Sequence, residues 1–263
     1  MIDSHCHLDF DSLRNQFDKI IQNAKKNNIT SLLTINTDPK KFSEHYHLIK
    51  DYKSIFISYG LHPENVSNTD HISKDLIIKN TLSPKVIGIG ETGLDFYRST
   101  EYKNEQYYNF EQHIEASIET NIPLIIHQRN SENEIMDILR KYQKKTNLKL
   151  VFHCFTGSKK LKNFCLDNNY YISISGIITF KNANDLRAVL IDVPIESLLI
   201  ETDSPYLSPT PMRGRLNEPA YVKFTAEYLS QFYNIPLNNL TKTTNDNFYK
   251  LFSKAIRYNE ISI

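Results

Sequence analysis

Five short segments of the chain end an apolar, strand-like run in residues of metal-binding type. They are Ile2-Asp3-Ser4-His5-Cys6-His7, Val86 to Glu91, Leu124 to His127, Leu150 to His153 and Leu198 to Asp203. Together they carry the imidazoles of His5, His7, His127 and His153 and the carboxylates of Glu91, Glu201 and Asp203. One histidine after an apolar run is more often a packed core residue than a ligand, and one acid at a strand end is often a helix cap. The repetition is what counts, because no core calls for imidazoles and acids at the end of strand after strand. Residues i and i+2 of a strand share a face. His5 and His7 therefore project together, as do Glu201 and Asp203, while Cys6 points away into packing. A mixed nitrogen and oxygen set of this size exceeds the needs of one tetrahedral zinc and suits two divalent ions. His5 and His7 are expected to hold one ion and His127 and His153 the other, with Glu91 bridging them. Asp203 is expected to bind metal and to take a proton from water that the metal acidifies. Glu91 and Asp203 are thus the candidate catalytic carboxylates. The reaction is hydrolysis of an ester, a phosphoester or an amide; the ligands alone do not choose among them.

The elements that must position these residues alternate along the chain. Apolar residues at helical spacing mark Phe10 to Asn28, followed by a strand at Ser31 to Asn36. A helix from Pro39 to Tyr52 leads to a strand from Ser54 to Gly60, and a helix around Ser73 to Thr81 leads to the Glu91 strand. Helices at Asn104 to Thr120 and Glu132 to Lys145 precede the His127 and His153 strands. Leu161 to Asn168 leads into a strand at Tyr170 to Ile174, and Asp185 to Ile191 into one at Ser197 to Ile200. The tail from about Tyr221 reads as two helical pieces split near Pro236. Alternation of this kind implies a parallel sheet with right-handed crossovers. The ligands come from the first, fourth, fifth, sixth and eighth strands. An open doubly wound sheet would gather them at one switch point, so closure is favoured. The expected fold is α/β, a single TIM-like (β/α)8 barrel with its chemistry at the C-terminal strand ends. No linker, low-complexity tract or repeat interrupts it, so residues 1–263 are expected to form one domain.

Bulk properties narrow the setting. A formal net charge of +1 over 263 residues excludes a chain dominated by a polyanion-binding field but leaves room for local basic patches. No apolar run is long enough to span a bilayer, and the chain opens directly on a strand rather than a signal peptide. Three cysteines, Cys6, Cys154 and Cys165, make no disulfide framework and favour a reducing compartment. A cytoplasmic monomer without a membrane partner is expected. Glycine-rich phosphate loops and a nucleophilic Ser or Cys elbow are not evident. Residues near the ligand rim suit an anionic substrate. Arg129 lies two beyond His127 and is equally suited to clamping a phosphate or to pairing with an acid such as Glu201. His62 follows the third strand, where it can contact substrate or steady a metal-bound water. Arg213 and Arg215 bracket Gly214 on a Pro-flanked loop, which by itself is more often a solvated loop than a binding site.

These residues together resemble the TatD family of metal-dependent deoxyribonucleases. The similar blocks run in order along nearly the whole chain: Asp3-Ser4-His5-Cys6-His7-Leu8, Gly60-Leu61-His62-Pro63, Ile89-Gly90-Glu91-Thr92-Gly93-Leu94-Asp95, Pro123 to Arg129, His153-Cys154-Phe155-Thr156-Gly157, Glu201 to Leu207 and Asn217-Glu218-Pro219. The resemblance implies a two-metal site in which His5, His7, Glu91, His127, His153 and Asp203 match the ligand positions. It also implies a magnesium-dependent nuclease that acts on DNA, commonly from the 3′ end. Ligand preference alone would allow zinc or manganese at so imidazole-rich a site. Gln128-Arg129-Asn130-Ser131 departs from the more usual Ser-Arg-Asp-Ala type, and Leu216 stands where a basic residue is common. Both departures touch substrate contacts rather than metal chemistry. Two other functions carry the same barrel. One is a hydrolase of the same superfamily acting on D-aminoacyl-tRNA or on another amide or phosphoester. The other is a non-enzymatic interaction protein, whose signature would be missing ligands.

Overall fold

The computed structural model describes residues 1–68, 71–143 and 148–261. Its eight strands are β1 (Ile2–Cys6), β2 (Ser31–Thr34), β3 (Ile55–Tyr59), β4 (Val86–Asp95), β5 (Leu124–Arg129), β6 (Leu150–Phe152), β7 (Tyr171–Ile174) and β8 (Leu198–Ile200). They lie in chain order in one sheet, and every pair from β1·β2 to β7·β8 is parallel. Just past the end of β8 the sheet returns to its first strand. There Asp203 N–H donates to His5 O at 2.9 Å and His7 N–H donates to Ser204 O at 2.8 Å. The expected TIM barrel is the fold observed.

Alternation along the strands sorts side chains into two apolar clusters. Leu33, Phe56, Ile87, Ile125, Val151 and Leu199 point inward, and Leu32, Ile57, Leu124, Ile126, Leu150 and Ile200 point outward to the helices. The next inward position after Ile125 is His127, after Val151 it is His153, and after Leu199 it is Glu201. The chemistry is therefore the top layer of the barrel interior. Two strands break strict alternation. Ile2 packs inside and Cys6 outside although they are four apart, and the β1·β2 register shifts between Asp3 and Cys6. The β4·β5 register likewise shifts between Ile89 and Thr92, just before and after Glu91.

Outside the strands lie α1 (Asp11–Arg14), α2 (Phe17–Lys26), α3 (Phe42–Ile49), α4 (Lys74–Thr81), α5 (Lys103–Thr120), α6 (Glu132–Gln143), α7 (Lys159–Asp167), α8 (Asn184–Leu190), α9 (Val222–Phe232), α10 (Leu237–Leu251) and α11 (Lys254–Ile261). Ser73 and Ser158 cap α4 and α7 by accepting from the N–H of Leu76 and Leu161. The single helix expected from Phe10 to Asn28 is two, broken where Gln16 leaves helical geometry. The helix expected to reach Lys145 is described to Gln143; Lys144 and Lys145 lie outside the described residues. The tail holds three helices rather than two, because the chain turns again at Phe252.

That last turn plugs the N-terminal end of the barrel. Phe248 and Phe252 join the inner cluster, and Asn247 Nδ2 donates to Leu198 O at 2.8 Å. Lys254 Nζ donates to the carbonyls of Thr81 and Ser83 ahead of β4 and of Val86 at its start. Lys254→Met keeps the stem and removes all three donors. It should lower stability by about 1–3 kcal/mol, the cost of leaving buried carbonyls unpaired. Urea unfolding monitored by circular dichroism would check this, and an unchanged midpoint would show that the plug does not depend on the ammonium.

Candidate active site

The barrel mouth concentrates the histidines around one carboxylate. Glu91, only 2% exposed, has His153 Nε2 at 2.6 Å, His127 Nδ1 at 2.9 Å and His62 Nε2 at 3.3 Å from Oε1, and His5 Nε2 at 3.3 Å from Oε2. Asp203 Oδ1 lies 3.2 Å from His7 Nε2 and 3.7 Å from His5 Nε2. The His5 and His153 rings stack with centroids 3.9 Å apart. β4 reaches this centre through glycine. Gly93 has φ +140°, and a Cβ there would sit 2.0 Å from His127 O, so β4 and β5 could not approach as they do beside any other residue.

A second ring of groups aims the imidazoles. His127 Nε2 meets Asp95 Oδ2 at 2.8 Å, which leaves the Nδ1 lone pair toward Glu91. His153 Nδ1 lies 3.4 Å from Glu201 Oε1, itself fixed by the Cys154 N–H at 2.7 Å. Carboxylates placed behind imidazoles in this way set tautomer and orientation. His62 differs. Its Nδ1 accepts from Glu64 N–H at 3.0 Å, so its hydrogen is on Nε2 and points at Glu91. His62 is arranged as a hydrogen-bond donor to the carboxylate. Asp3 pins β1 to the chain beyond β8 by accepting from Thr202 N–H at 2.8 Å and Thr202 Oγ1 at 2.6 Å, and burial pushes its carboxyl up to about 8.

Charge follows contact. Burial alone would raise the Glu91 carboxyl, but His153, His62 and His127 outweigh it and hold the group well below the usual range. Burial is likewise outweighed at His153 by Glu91 and Glu201, at His127 by Asp95 and Glu91, and at His7 by Asp203, so all three are raised. His5 is lowered by burial and by its neighbour His153. His5 is also 1% exposed with neither ring nitrogen hydrogen-bonded. A buried imidazole left so is costly. Its Nε2 faces Glu91 and Asp203, and ligand atoms of His5–His7–Asp203 and of His5–Glu91–His153 each gather within 4.8 Å. His62–Glu91–His127 forms a third such group by distance, but with Nδ1 accepting from Glu64 N–H and its hydrogen on Nε2, His62 has no lone pair for a cation. This donor set fits divalent cations.

The remaining sequence candidates sit on the rim, outside this cluster. Arg129 is exposed and lies over the Tyr97 ring, 3.6 Å from its centroid, rather than pairing with Glu201. Arg213 lies 3.8 Å over Phe180 and donates to Ser208 O at 3.0 Å, and Arg215 is exposed on the same loop. Glu201 and Asp203 do not share a strand face as alternation suggested, because β8 ends at Ile200 and Asp203 turns to φ +53°. Glu201 braces His153 from behind while Asp203 faces His5 and His7. Asp95 was missed as a functional residue, yet it stands four beyond Glu91 on one strand, and that even spacing is the signal that finds it. His113 was also missed, and no local pattern marks it.

Comparison with known proteins gives the class. The chain is 38% identical over 266 residues to an uncharacterized metal-dependent hydrolase of Buchnera aphidicola subsp. Baizongia pistaciae, covering 100% of this chain and 99% of that one. It is 37% identical over 255 residues to the uncharacterized metal-dependent hydrolase YcfH of Escherichia coli K12, covering 96% and 95%. The crystal structure of YJJV, a TatD homologue from Escherichia coli K12, superposes with a TM-score of 0.85 at 24% identity, covering 96% and 98%. The protein is a metal-dependent hydrolase built on a TIM barrel. A family model for TatD related DNase matches residues 2–253, and the chain belongs to that family.

The loop that carries His62 is held from outside the barrel. Leu61 N–H donates to His113 Nε2 at 3.1 Å, and His113 Nδ1 lies 2.6 Å from Asn109 O. A carbonyl only accepts, so the hydrogen is on Nδ1 and Nε2 is bare. Burial holds His113 down at about 4, against an ordinary 6.5. Between those values the unfolded chain binds a proton that the folded chain refuses. Stability therefore falls as pH drops from 6.5 toward 4, by about 1.4 kcal/mol per pH unit for one proton. His113→Gln removes this proton, so the stability gap between wild type and variant should narrow as pH falls. Urea midpoints of both at pH 7, 6 and 5 would test it, and a gap independent of pH would refute the neutral clamp.

Proposed function

We propose that the chain is a divalent-metal-dependent deoxyribonuclease that removes nucleotides from 3′ ends of single-stranded or frayed DNA. In this reading residues 1–263 act as one domain, as a monomer in the cytoplasm. The observation that carries it is the buried Glu91 carboxylate ringed by imidazoles, with Asp203 beside His5 and His7. This is a donor set sized for two cations. His5, His7 and Asp203 would hold one and His127 and His153 the other, with Glu91 between them. Magnesium follows from the family, and zinc or manganese from the imidazole content. Bound divalent cations supply Lewis acidity, lowering the pKa of water and offsetting charge on the leaving oxygen.

The chain's own residues do the rest. His7, followed by His5 and His153, outweighs burial and keeps Asp203 ionised at neutral pH, ready to accept a proton from attacking water. His62 donates toward Glu91 and borders the mouth. Arg129, Arg213 and Arg215 are the cations available for backbone phosphates, and single-stranded DNA is a better fit than duplex to a concave barrel mouth.

Chelation should abolish cleavage of a 3′-labelled single-stranded oligonucleotide, and magnesium, manganese or zinc should restore it. Undiminished turnover in chelator would end the metal-dependent reading. Glu91→Ala should cost more activity than His62→Ala, whose loss should be about 10–100-fold, as for groups that support a metal site without binding it. Equal mild losses would remove Glu91 from the centre of the site. If the oligonucleotide stays intact with every cation while D-aminoacyl-tRNA is deacylated, the substrate is the ester instead.

A further inference from the structure

A groove of about 740 Å³ opens beside the imidazole cluster, between the turn after β1, α3 and the loop after β8. It falls in the usual size range for small-molecule sites, and two of its lining residues, Phe10 and Tyr206, contact His7 and Asp203 of the site. The Phe10 ring lies on the His7 imidazole with centroids 4.8 Å apart and planes 26° apart. Tyr206 stands edge-on to Phe10 at 6.0 Å, is 55% exposed, and is joined on the same wall by exposed Leu216. Tyr206 is also fixed in place, because its N–H donates to Asp203 O and its carbonyl accepts from Asn217 Nδ2. An exposed aromatic wall thus begins three residues from Asp203.

The rest of the lining is mostly polar: Arg14 and Glu44 pair with each other, and two buried atoms are left without a partner. His45 borders the groove, is 1% exposed, and its Nδ1 has no hydrogen-bond partner. Its Nε2 lies 2.8 Å from Thr34 Oγ1, which already accepts from Leu8 N–H. The hydrogen of the buried Thr34 hydroxyl needs an acceptor, and His45 Nε2 is the one in reach, so the hydroxyl donates to Nε2 and the His45 hydrogen resides on Nδ1. That N–H faces Asp9 Oδ2 at 3.6 Å, too far for a hydrogen bond, and Asp9 Oδ1 is also buried without a partner. One donor and one acceptor are held side by side with a gap between them. A hydroxyl accepts from the first and donates to the second. An ammonium, with donors only, would leave His45 unmatched. Charge points the same way. The groove is lined by three acids, Asp9, Asp11 and Glu44, against two cations, Arg14 and Lys41. It disfavours a continuing phosphate chain and suits the neutral end of one.

We propose that this groove is a subsite for the terminal nucleoside of the substrate, with the base resting against Phe10 and Tyr206 and the 3′-hydroxyl received by Asp9 and His45. The proposal rests on the nuclease reading of the adjacent site. It can be tested by calorimetric titration of the magnesium-supplied protein with three probes: thymidine 5′-monophosphate, its 3′-deoxy analogue, and 2-deoxyribose 5-phosphate, which lacks the base. Thymidine monophosphate should bind tightest. Tyr206→Ala should weaken it by about 5- to 150-fold, the range for one stacked base, and leave deoxyribose phosphate within about twofold. His45→Phe should erase the preference for the 3′-hydroxyl over 3′-deoxy, since a site built to bond a hydroxyl discriminates against its loss. His45 is buried and its variant is at risk of misfolding, whereas Tyr206 is exposed, so the Tyr206 arm decides alone if needed. Equal affinity for thymidine monophosphate and deoxyribose phosphate, or equal weakening of both by Tyr206→Ala, overturns the subsite. If the binding preferences hold while no oligonucleotide is cut with any cation, the groove is a nucleoside site and the nuclease reading falls. If 3′ ends are cut while binding ignores base and hydroxyl, the nuclease reading stands and the subsite falls.

Discussion

An ionised carboxylate at 2% exposure must be surrounded by partners or it will not stay ionised. Glu91 meets that condition with four imidazole nitrogens within 3.3 Å, contributed by β1, the loop after β3, β5 and the first residue after β6. Strands one and six are far apart in an open parallel sheet. Only closure, through the bonds between the chain after β8 and the end of β1, brings both to one anion. The local departures from regular strand geometry answer to the same demand. The register slip in β1 lets His5 and His7 turn inward after Ile2 has already done so, and the slip around Glu91 does the same for β4.

The imidazoles are not equivalent, and the difference comes from what lies behind each. His127 is backed by Asp95 and His153 by Glu201, while His7 faces Asp203 and His62 is oriented by the Glu64 N–H. His5 has no such partner at either nitrogen. Burial and its stacked, positively biased neighbour His153 push it toward neutrality. A neutral imidazole with a free lone pair, two carboxylates in front of it and no competing hydrogen bond is the form in which histidine binds a cation.

Much of this was legible before the structure because it is periodic. Inward positions recur every second residue, so His127, His153 and Glu201 announce themselves as continuations of Ile125, Val151 and Leu199. Asp95 was legible in principle by the same rule and was passed over because no apolar run ends on it. What could not be read was every feature set by a contact across the fold. The left-handed turn that sends Asp203 away from Glu201 depends on the backbone bonds that close the barrel. The neutral tautomer of His62 depends on a turn two residues on, and the role of His113 on the Leu61 loop 52 residues away. The arginines illustrate the limit best. Their placement near the rim followed from strand ends, but their stacking on Tyr97 and Phe180 needs rings from other segments.

That stacking bears on how so evenly charged a chain handles an anion. With a formal net charge of +1, no broad positive field draws a polyanion in, so attraction has to come from single groups in the right place. A guanidinium laid flat on an aromatic ring keeps its in-plane N–H groups directed outward and has already given up much of its rotamer freedom. Arg129 and Arg213 hold their guanidinium carbons 3.6 Å and 3.8 Å from the Tyr97 and Phe180 ring centroids, the second also anchored through Nη1 to Ser208 O. The acids of the groove beyond Phe10 have the opposite sign. In the nuclease reading proposed above, a mouth with cations on its rim and a carboxylate-lined recess beside the reacting centre would tell the charged length of a strand from its uncharged tip by placement rather than by total charge.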